Sequence, residues 1–345
     1  MAEEASGIAL ARAYWRDVVA PLLDEAAPGW PRAAGRLGCG SDVLGLDDEM
    51  SRDHDWGLRL QVVVAPGVRE PVVAALEKGV PTTYAGLPTR LTFSGQAAPA
   101  LTVDVLTIDD LVASRLGFDP RTDPATTDWL SVTGQAVLEI TAGEVFEDSD
   151  GRLTALREAL AWYPDDLWAH LVSCDWRRLD QELPLMQRAG DRGDDLGSRV
   201  IAARLVGVAM HLGFLLCRRW APYAKWRGTL FRSLPLGDDI ATTLTDVLSA
   251  GDWRSRGQYL VEALEALARA QERVGLASAS PACVPFFDRP YHHVTPVLTG
   301  VMTPAANGSV RVDLPPGLGS IEQRTDNVDL LMDVGRRRAA TGCPG

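Results

Sequence analysis

The hydrophobic period of this chain changes once, near residue 150, and that switch constrains the fold more than any other feature. Beyond it, LTALREALAWYP, DDLWAHLVSCDWRRLDQELPLMQRA, DDLGSRVIAARLVGVAMHLGFLLCRRWAP, DDIATTLTDVLSA and SRGQYLVEALEALARAQERVG repeat apolar residues at helical spacing. Each carries an acidic or hydroxyl start signal and a Pro or Gly near its end. Before the switch, short strand-like runs alternate with turn residues. Residues 53–64 (DHDWGLRLQVVV) alternate at first and then become continuously apolar, as in a central strand covered on both faces. Residues 7–24 and 69–79 read as helices, with Pro21 a local complication in the first. RAAGRLGCGS, 89–93 and 101–108 read as short strands, and the helix over 109–117 opens on an Asp that can cap it. The fold class is therefore α+β, a mixed half followed by a helical half. The expected divisions are 1–148, a helical bundle over 149–280, and an irregular Pro- and Gly-rich extension packed on the core over 281–345.

Composition narrows the partners. With 345 residues the chain can form about two domains and bury a full core. Its formal charge of -12 argues against non-specific nucleic-acid binding, which needs a basic footprint, and suits a cationic small molecule or bound metal ions. Lysine occurs only at Lys78 and Lys225. The five cysteines are widely spaced without a C-x-x-C pair, so reduced thiols are expected rather than a disulfide framework or a zinc site. The N-terminal segment opens acidic and shows no apolar signal region, and the apolar stretch 202–217 is interrupted by Arg204 and His211. A cytoplasmic protein that does not engage a membrane is the expectation. Oligomeric state leaves no trace in the sequence.

The chemistry concentrates in GCGSDVLGLDDEMSRDHDWGLRL, residues 38–60. Gly40 lets the backbone approach a phosphate closely, and Ser41 adds a hydroxyl donor. After eleven intervening residues come Asp53 and Asp55, which on a strand project to one face. Two carboxylates held together repel, and a hard divalent cation relieves the repulsion. Mg²⁺ usually shares protein carboxylates with substrate phosphates, which suits a nucleoside triphosphate. Asp104, between Val103 and Val105, can join the same face if its strand lies beside 53–64. Three carboxylates would then serve two metal ions.

These parts, Cys39-Gly40-Ser41, Asp53-His54-Asp55-Trp56 and Val103-Asp104-Val105, resemble the DNA polymerase beta-like nucleotidyltransferase superfamily. The longer run GSDVLGLDDEMSRDHDWG also looks like a bacterial domain-of-unknown-function family within it. Cys39 departs from the usual apolar residue. The resemblance covers about 65 residues and implies a small mixed sheet flanked by helices. It also implies Mg²⁺ dependence and transfer of a nucleoside monophosphate, AMP being the leading candidate, from an NTP to an acceptor hydroxyl with release of pyrophosphate. Gly40 and Ser41 would hold phosphate, Asp53 and Asp55 would hold the metals, and Asp104 would hold a second metal or take the acceptor proton. In the helical half Lys225 is the candidate phosphate contact, because a compact ammonium suits a triphosphate. Tyr223 and Trp226 are read as packing first and base stacking second. The acceptor class favoured by charge is a cationic antibiotic-like molecule or biosynthetic intermediate. Two other classes stay open: a nucleotide-sensing module without chemistry, and a toxin-type enzyme acting on protein or RNA.

Several residues have plainer readings. Asp42, Asp47, Asp48 and Glu49 are expected to form a solvated acidic loop, His54 and Trp56 to pack, His211 to be a satisfied core histidine, and His292-His293 to sit in a structural loop.

Overall fold

The computed structural model describes residues 6–53, 56–92, 98–300 and 314–343, the side chains of residues 52 and 53 excepted. Its chain is of the α+β class, a small mixed sheet with its own helices and an extensive helical region. Two compact units divide it: Met1–Pro124 with Ala136–Ala161, and Ala125–Gln135 with Trp162–Gly345.

The first unit is built on four strands, β1 (Arg32–Arg36), β2 (Leu60–Val64), β3 (Val103–Leu106) and β4 (Glu144–Asp148), in the order β3-β2-β1-β4. β1 is antiparallel to both β2 and β4, and β2 is parallel to β3. β2 is buried at all five positions, which is why its sequence runs apolar without a break. Leu60, Val62 and Val64 face a core with Tyr14, Trp15, Val19 and Leu23 of α1 (residues 7–26), and with Val72 and Leu76 of α2 (Arg69–Gly79). Val103 and Val105 join the same core. Gln61 and Asp104, one residue out of phase, therefore occupy the opposite face.

α1 accommodates Pro21 by winding wider: Trp15–Val19 is a π-helical turn placed just ahead of the proline, which has no N–H to continue the regular ladder. The strand expected over 53–64 starts later. Residues Glu49–Asp53 form a 3₁₀ turn, nucleated by reciprocal bonds between Asp48 and Ser51, and Gly57 takes a positive φ of 92° before β2 begins at Leu60. Asp53 is thus on the approach to the strand and not on it, and Asp55 lies outside the described residues. The helix near 109–117 is α3 (Ile108–Arg115), and its cap is Thr107 rather than Asp109, with Asp110 closing the capping box. α4 (Gly134–Thr141), from residue 136 onward, and α5 (Arg152–Ala159) complete this unit.

The second unit centres on α6 (Asp165–Asp191) and α7 (Asp195–Leu216), with α8 (Ala224–Arg232), α9 (Gly237–Ser249) and α10 (Trp253–Arg273) around them. Indoles tie the bundle: Trp168 Nε1 donates to the Leu215 carbonyl at 2.8 Å, and Trp176 Nε1 to Gln271 Oε1 at 2.6 Å. Arg256, fully buried, is held by Ser198 Oγ at 2.6 Å and Asp195 at 2.9 Å. α7 is long and apolar enough to cross a membrane by length and composition, although most of that stretch is buried within the bundle. The segment after residue 281 is more ordered than its Pro and Gly content suggests. β5 (Cys283–Pro285) pairs with β6 (His292–Val294), so His292 and His293 lie on a strand and not in a loop. Gln187 fixes that strand by accepting from His292 N and donating to its carbonyl, both at 3.1 Å. α11 (Ile321–Arg324), α12 (Val328–Met332) and α13 (Val334–Thr341) follow.

A buried ion pair couples α6 to α7, beside the more exposed Arg204–Glu182 pair. His211 Nδ1 lies 2.6 Å from Asp175 Oδ2. Burial works against a charged imidazole, but the Asp175 carboxylate, by charge and hydrogen bond, and then Glu322 outweigh it, so the His211 pKa is raised. A raised folded value means the stabilisation is complete below the unfolded value near 6.5 and is lost as pH climbs through the folded one. The stability gap between wild type and His211→Gln, read from urea midpoints, is therefore expected to be wider at about pH 6 than at about pH 9. A gap independent of pH contradicts the charged pair.

Candidate active site

The C-terminal end of β1 lies beside the N-terminal ends of β2 and β3: Gly35 pairs with Gln61, and Gln61 pairs with Asp104. The turn from Gly38 to Ser41, the approach to β2 and Asp104 therefore meet at one edge of the sheet. Sequence spacing alone did not establish that Asp104 is in register with β2.

Arg36 and Asp42 set the shape of the turn. Both side chains are fully buried, and the guanidinium makes a two-pronged pair, Nε to Oδ2 at 2.8 Å and Nη2 to Oδ1 at 2.7 Å. Two more of its protons reach the carbonyls of Leu37 at 2.6 Å and Cys39 at 2.9 Å. The C=O and N–H of a trans peptide point in opposite directions. Drawing the Cys39 carbonyl onto Arg36 thus turns the Gly40 N–H away from it. Gly40 has φ 136°, a conformation a side chain would resist. Among the described residues the backbone N–H groups of Gly40 and Ser41 and the Ser41 hydroxyl make no hydrogen bond, whereas Leu37 N donates to Gln61 Oε1 at 2.8 Å and Gly38 N to the Glu139 carbonyl at 2.8 Å. The turn is pinned on both sides of a patch of available donors, the arrangement that cradles an oxyanion.

Asp104 is exposed on β3, and Gln61 Nε2 approaches one of its carboxylate oxygens at 3.4 Å. The expected acidic loop is more structural than solvated. Asp42 is buried, and Asp47 Oδ2 accepts from Gly7 N and from Trp56 Nε1, both at 2.9 Å, tying the loop to the start of α1. Asp53 lies on the approach to β2, its side chain outside the described set, and His54 and Asp55 lie outside the described residues. Among the described residues no group of three His, Cys, Asp or Glu could hold a metal ion. Asp104 supplies one hard oxygen donor of the kind Mg²⁺ takes, so the residues present suit that ion only together with Asp53 and Asp55.

Lys225 belongs to the second unit, unlike the other five candidates. It is exposed on α8 with Nζ 4.8 Å from the Trp226 ring, and Tyr223 beside it is also exposed. A Cys-His contact that spacing did not suggest, Cys174 Sγ to His170 Nε2 at 3.5 Å, is not an activated pair: burial pushes the thiol to about 12 and lowers His170. The residues that sequence reasoning missed are Arg36 and Gln61. Each was visible as a lone polar residue inside an apolar run, AAGRLG and LQVVV.

The sequence profile of a family described as a domain of unknown function (DUF4037) matches residues 129–227, a stretch that includes Lys225 and none of Gly40, Ser41, Asp53, Asp55 or Asp104. No curated protein matches the chain. A solved structure, that of a nucleotidyltransferase-like protein from Exiguobacterium sibiricum 255-15, aligns over 76% of this chain and 76% of its own, at 14% identity and a TM-score of 0.35.

Arg36→Met is expected to lower unfolding stability by about 3–5 kcal/mol, because it leaves Asp42 buried without its counter-charge. The double variant Arg36→Met, Asp42→Leu should recover part of that loss. Chemical denaturation checks both, and an equal loss in the two would show that the pair is not the brace of the turn.

Proposed function

We propose that the chain is a Mg²⁺-dependent nucleotidyltransferase that moves a nucleoside monophosphate, AMP as first candidate, from an NTP to a hydroxyl of a small cationic acceptor. The observation that carries this reading is the convergence of a pinned Gly-Ser turn, the approach to β2 and Asp104 on one sheet edge. The free N–H groups of Gly40 and Ser41 and the Ser41 hydroxyl would hold phosphate oxygens. Asp53, Asp55 and Asp104 would hold the metal, two ions being the expected number. When bound, Mg²⁺ would supply charge neutralisation on the phosphates. Asp104, exposed and approached on one oxygen by Gln61, would alternatively accept the acceptor's proton. Catalysis would consist mainly of positioning. Lys225 is assigned to triphosphate on its charge type alone. The net charge of -12 supports a cationic acceptor over nucleic acid, and the five unpaired cysteines suit a cytoplasmic setting with reduced thiols.

The test is a thermal-shift titration with ATP, GTP, CTP and UTP, with and without Mg²⁺, alongside pyrophosphate release. One NTP is expected to stabilise the wild type only with Mg²⁺, by about 2.7 kcal/mol at 100 times its dissociation constant. Asp53→Asn, Asp55→Asn and Asp104→Asn should fold normally and release little or no pyrophosphate. Binding without pyrophosphate release across an acceptor screen would point instead to a sensing module. Full turnover in both Asp53→Asn and Asp55→Asn sinks the assignment.

A further inference from the structure

The second unit encloses a cavity of about 540 Å³ between α6, α7, the start of α8 and the α11–α12 segment. Its volume is in the range of small-molecule sites. Much of its wall is apolar, with Val208, Leu331, Met332 and the ring of Tyr223 among the contributors.

Three of its four arginines are already engaged. Arg178 contacts Glu182 and the Gln323 carbonyl, both at 3.3 Å, and Arg204 donates to Glu182 at 2.9 Å. Arg324 donates to the Gly319 carbonyl at 2.8 Å and the Ala340 carbonyl at 3.1 Å. The carboxylates Asp175 and Glu322 are engaged too. Asp175 takes His211 on one oxygen at 2.6 Å and Gln323 Nε2 on the other at 2.8 Å, and Glu322 accepts from Gly134 N at 2.9 Å. Arg227 is different. Among the described residues it makes no hydrogen bond and no ion pair, although it is half-buried and its Nε is shut off from water. A buried Nε–H without an acceptor is unfavourable, and with the terminal nitrogens still open to solvent an oxyanion entering the cavity can accept two parallel N–H groups, Nε–H among them.

His211 lines the same cavity, and the charge of Arg227 acts on its ring. Asp175 holds Nδ1, while Nε2 makes no hydrogen bond among the described residues. The raised pKa of His211 makes Nε2 a donor over a wider pH range. The cavity therefore has two unsatisfied donor groups and an apolar wall. A cationic ligand would leave Arg227 unpaired; of the three lining carboxylates Asp175 and Glu322 already have partners, while exposed Asp326 has none among the described residues.

We propose that this cavity binds a small organic molecule with an apolar body and a single oxyanion head, carboxylate or phosphate, which Arg227 clasps and His211 Nε2 supplements. This site is independent of the nucleotidyl-transfer reading.

The experiment uses the full chain and isothermal titration with phenylacetate and phenyl phosphate, the two sources of the head group, with neutral phenylacetamide and inorganic phosphate for comparison. Saturable binding of at least one of the two phenyl anions is expected, with phenylacetamide and inorganic phosphate each about tenfold weaker or more. Arg227→Met should weaken that anion about tenfold or more while leaving the unliganded melting temperature unchanged or higher, because it removes an unpaired cation. Arg227→Lys, which keeps the charge and loses the fork, should also bind more weakly, and it decides the matter if Arg227→Met fails to fold. No saturable binding of either anion, equal binding of phenylacetamide, or undiminished binding in the folded Arg227 variants overturns the proposal.

Discussion

A guanidinium and a carboxylate sealed from water at the end of β1 hold the first unit's functional edge together. Taking two charges out of water is expensive, and the expense is offset only when every donor and acceptor is satisfied. Arg36 meets that condition by engaging both oxygens of Asp42 and two carbonyls of the turn between them. The charge pair therefore does more than fasten two residues six apart. It dictates which way successive peptide planes of the turn face, and so which amides are left for a ligand.

Much of this was legible in advance, and the parts that were not share a cause. The central strand could be read because burial on both faces demands an unbroken apolar run, and the helices of the second unit because their period is sustained. The start of β2 was misplaced because DHDW alternates like a strand, while the competing local bonds of Asp48 with Ser51 and the positive φ of Gly57 reshape the approach. Local side-chain-to-backbone bonds of this kind leave no mark on hydrophobic periodicity. The β5–β6 hairpin was hidden similarly, since its partner is the side chain of Gln187, about a hundred residues earlier in the chain. The Gly40-Ser41 turn and Asp104 were visible by residue type, but the register that puts them at one edge depends on sheet order, which no local pattern encodes.

The two units distribute polar residues in opposite ways. In the first, the polar groups near the turn are largely engaged with one another, and the available donors belong to the backbone. In the second, the backbone is spent on helices, and side chains such as Asp175 and His211 carry the polar contacts in the core. A sheet edge leaves main-chain groups to offer, and a helical bundle leaves only side chains. Arg227 stands out for that reason: nearly every other charge around it is balanced by a side chain or carbonyl.

Gln61 has a consequence of its own. The Leu37 N–H can only donate, so the amide oxygen of Gln61 must face it, and the NH₂ end must then face Asp104. The side chain is a fixed dipole laid across the sheet, negative toward the turn and positive toward the carboxylate. Neither an acid nor an amine can take its place, since each offers only one polarity. One strand residue thus orients an acid on one neighbour and a main-chain amide on the other, and it does so by having two unlike ends.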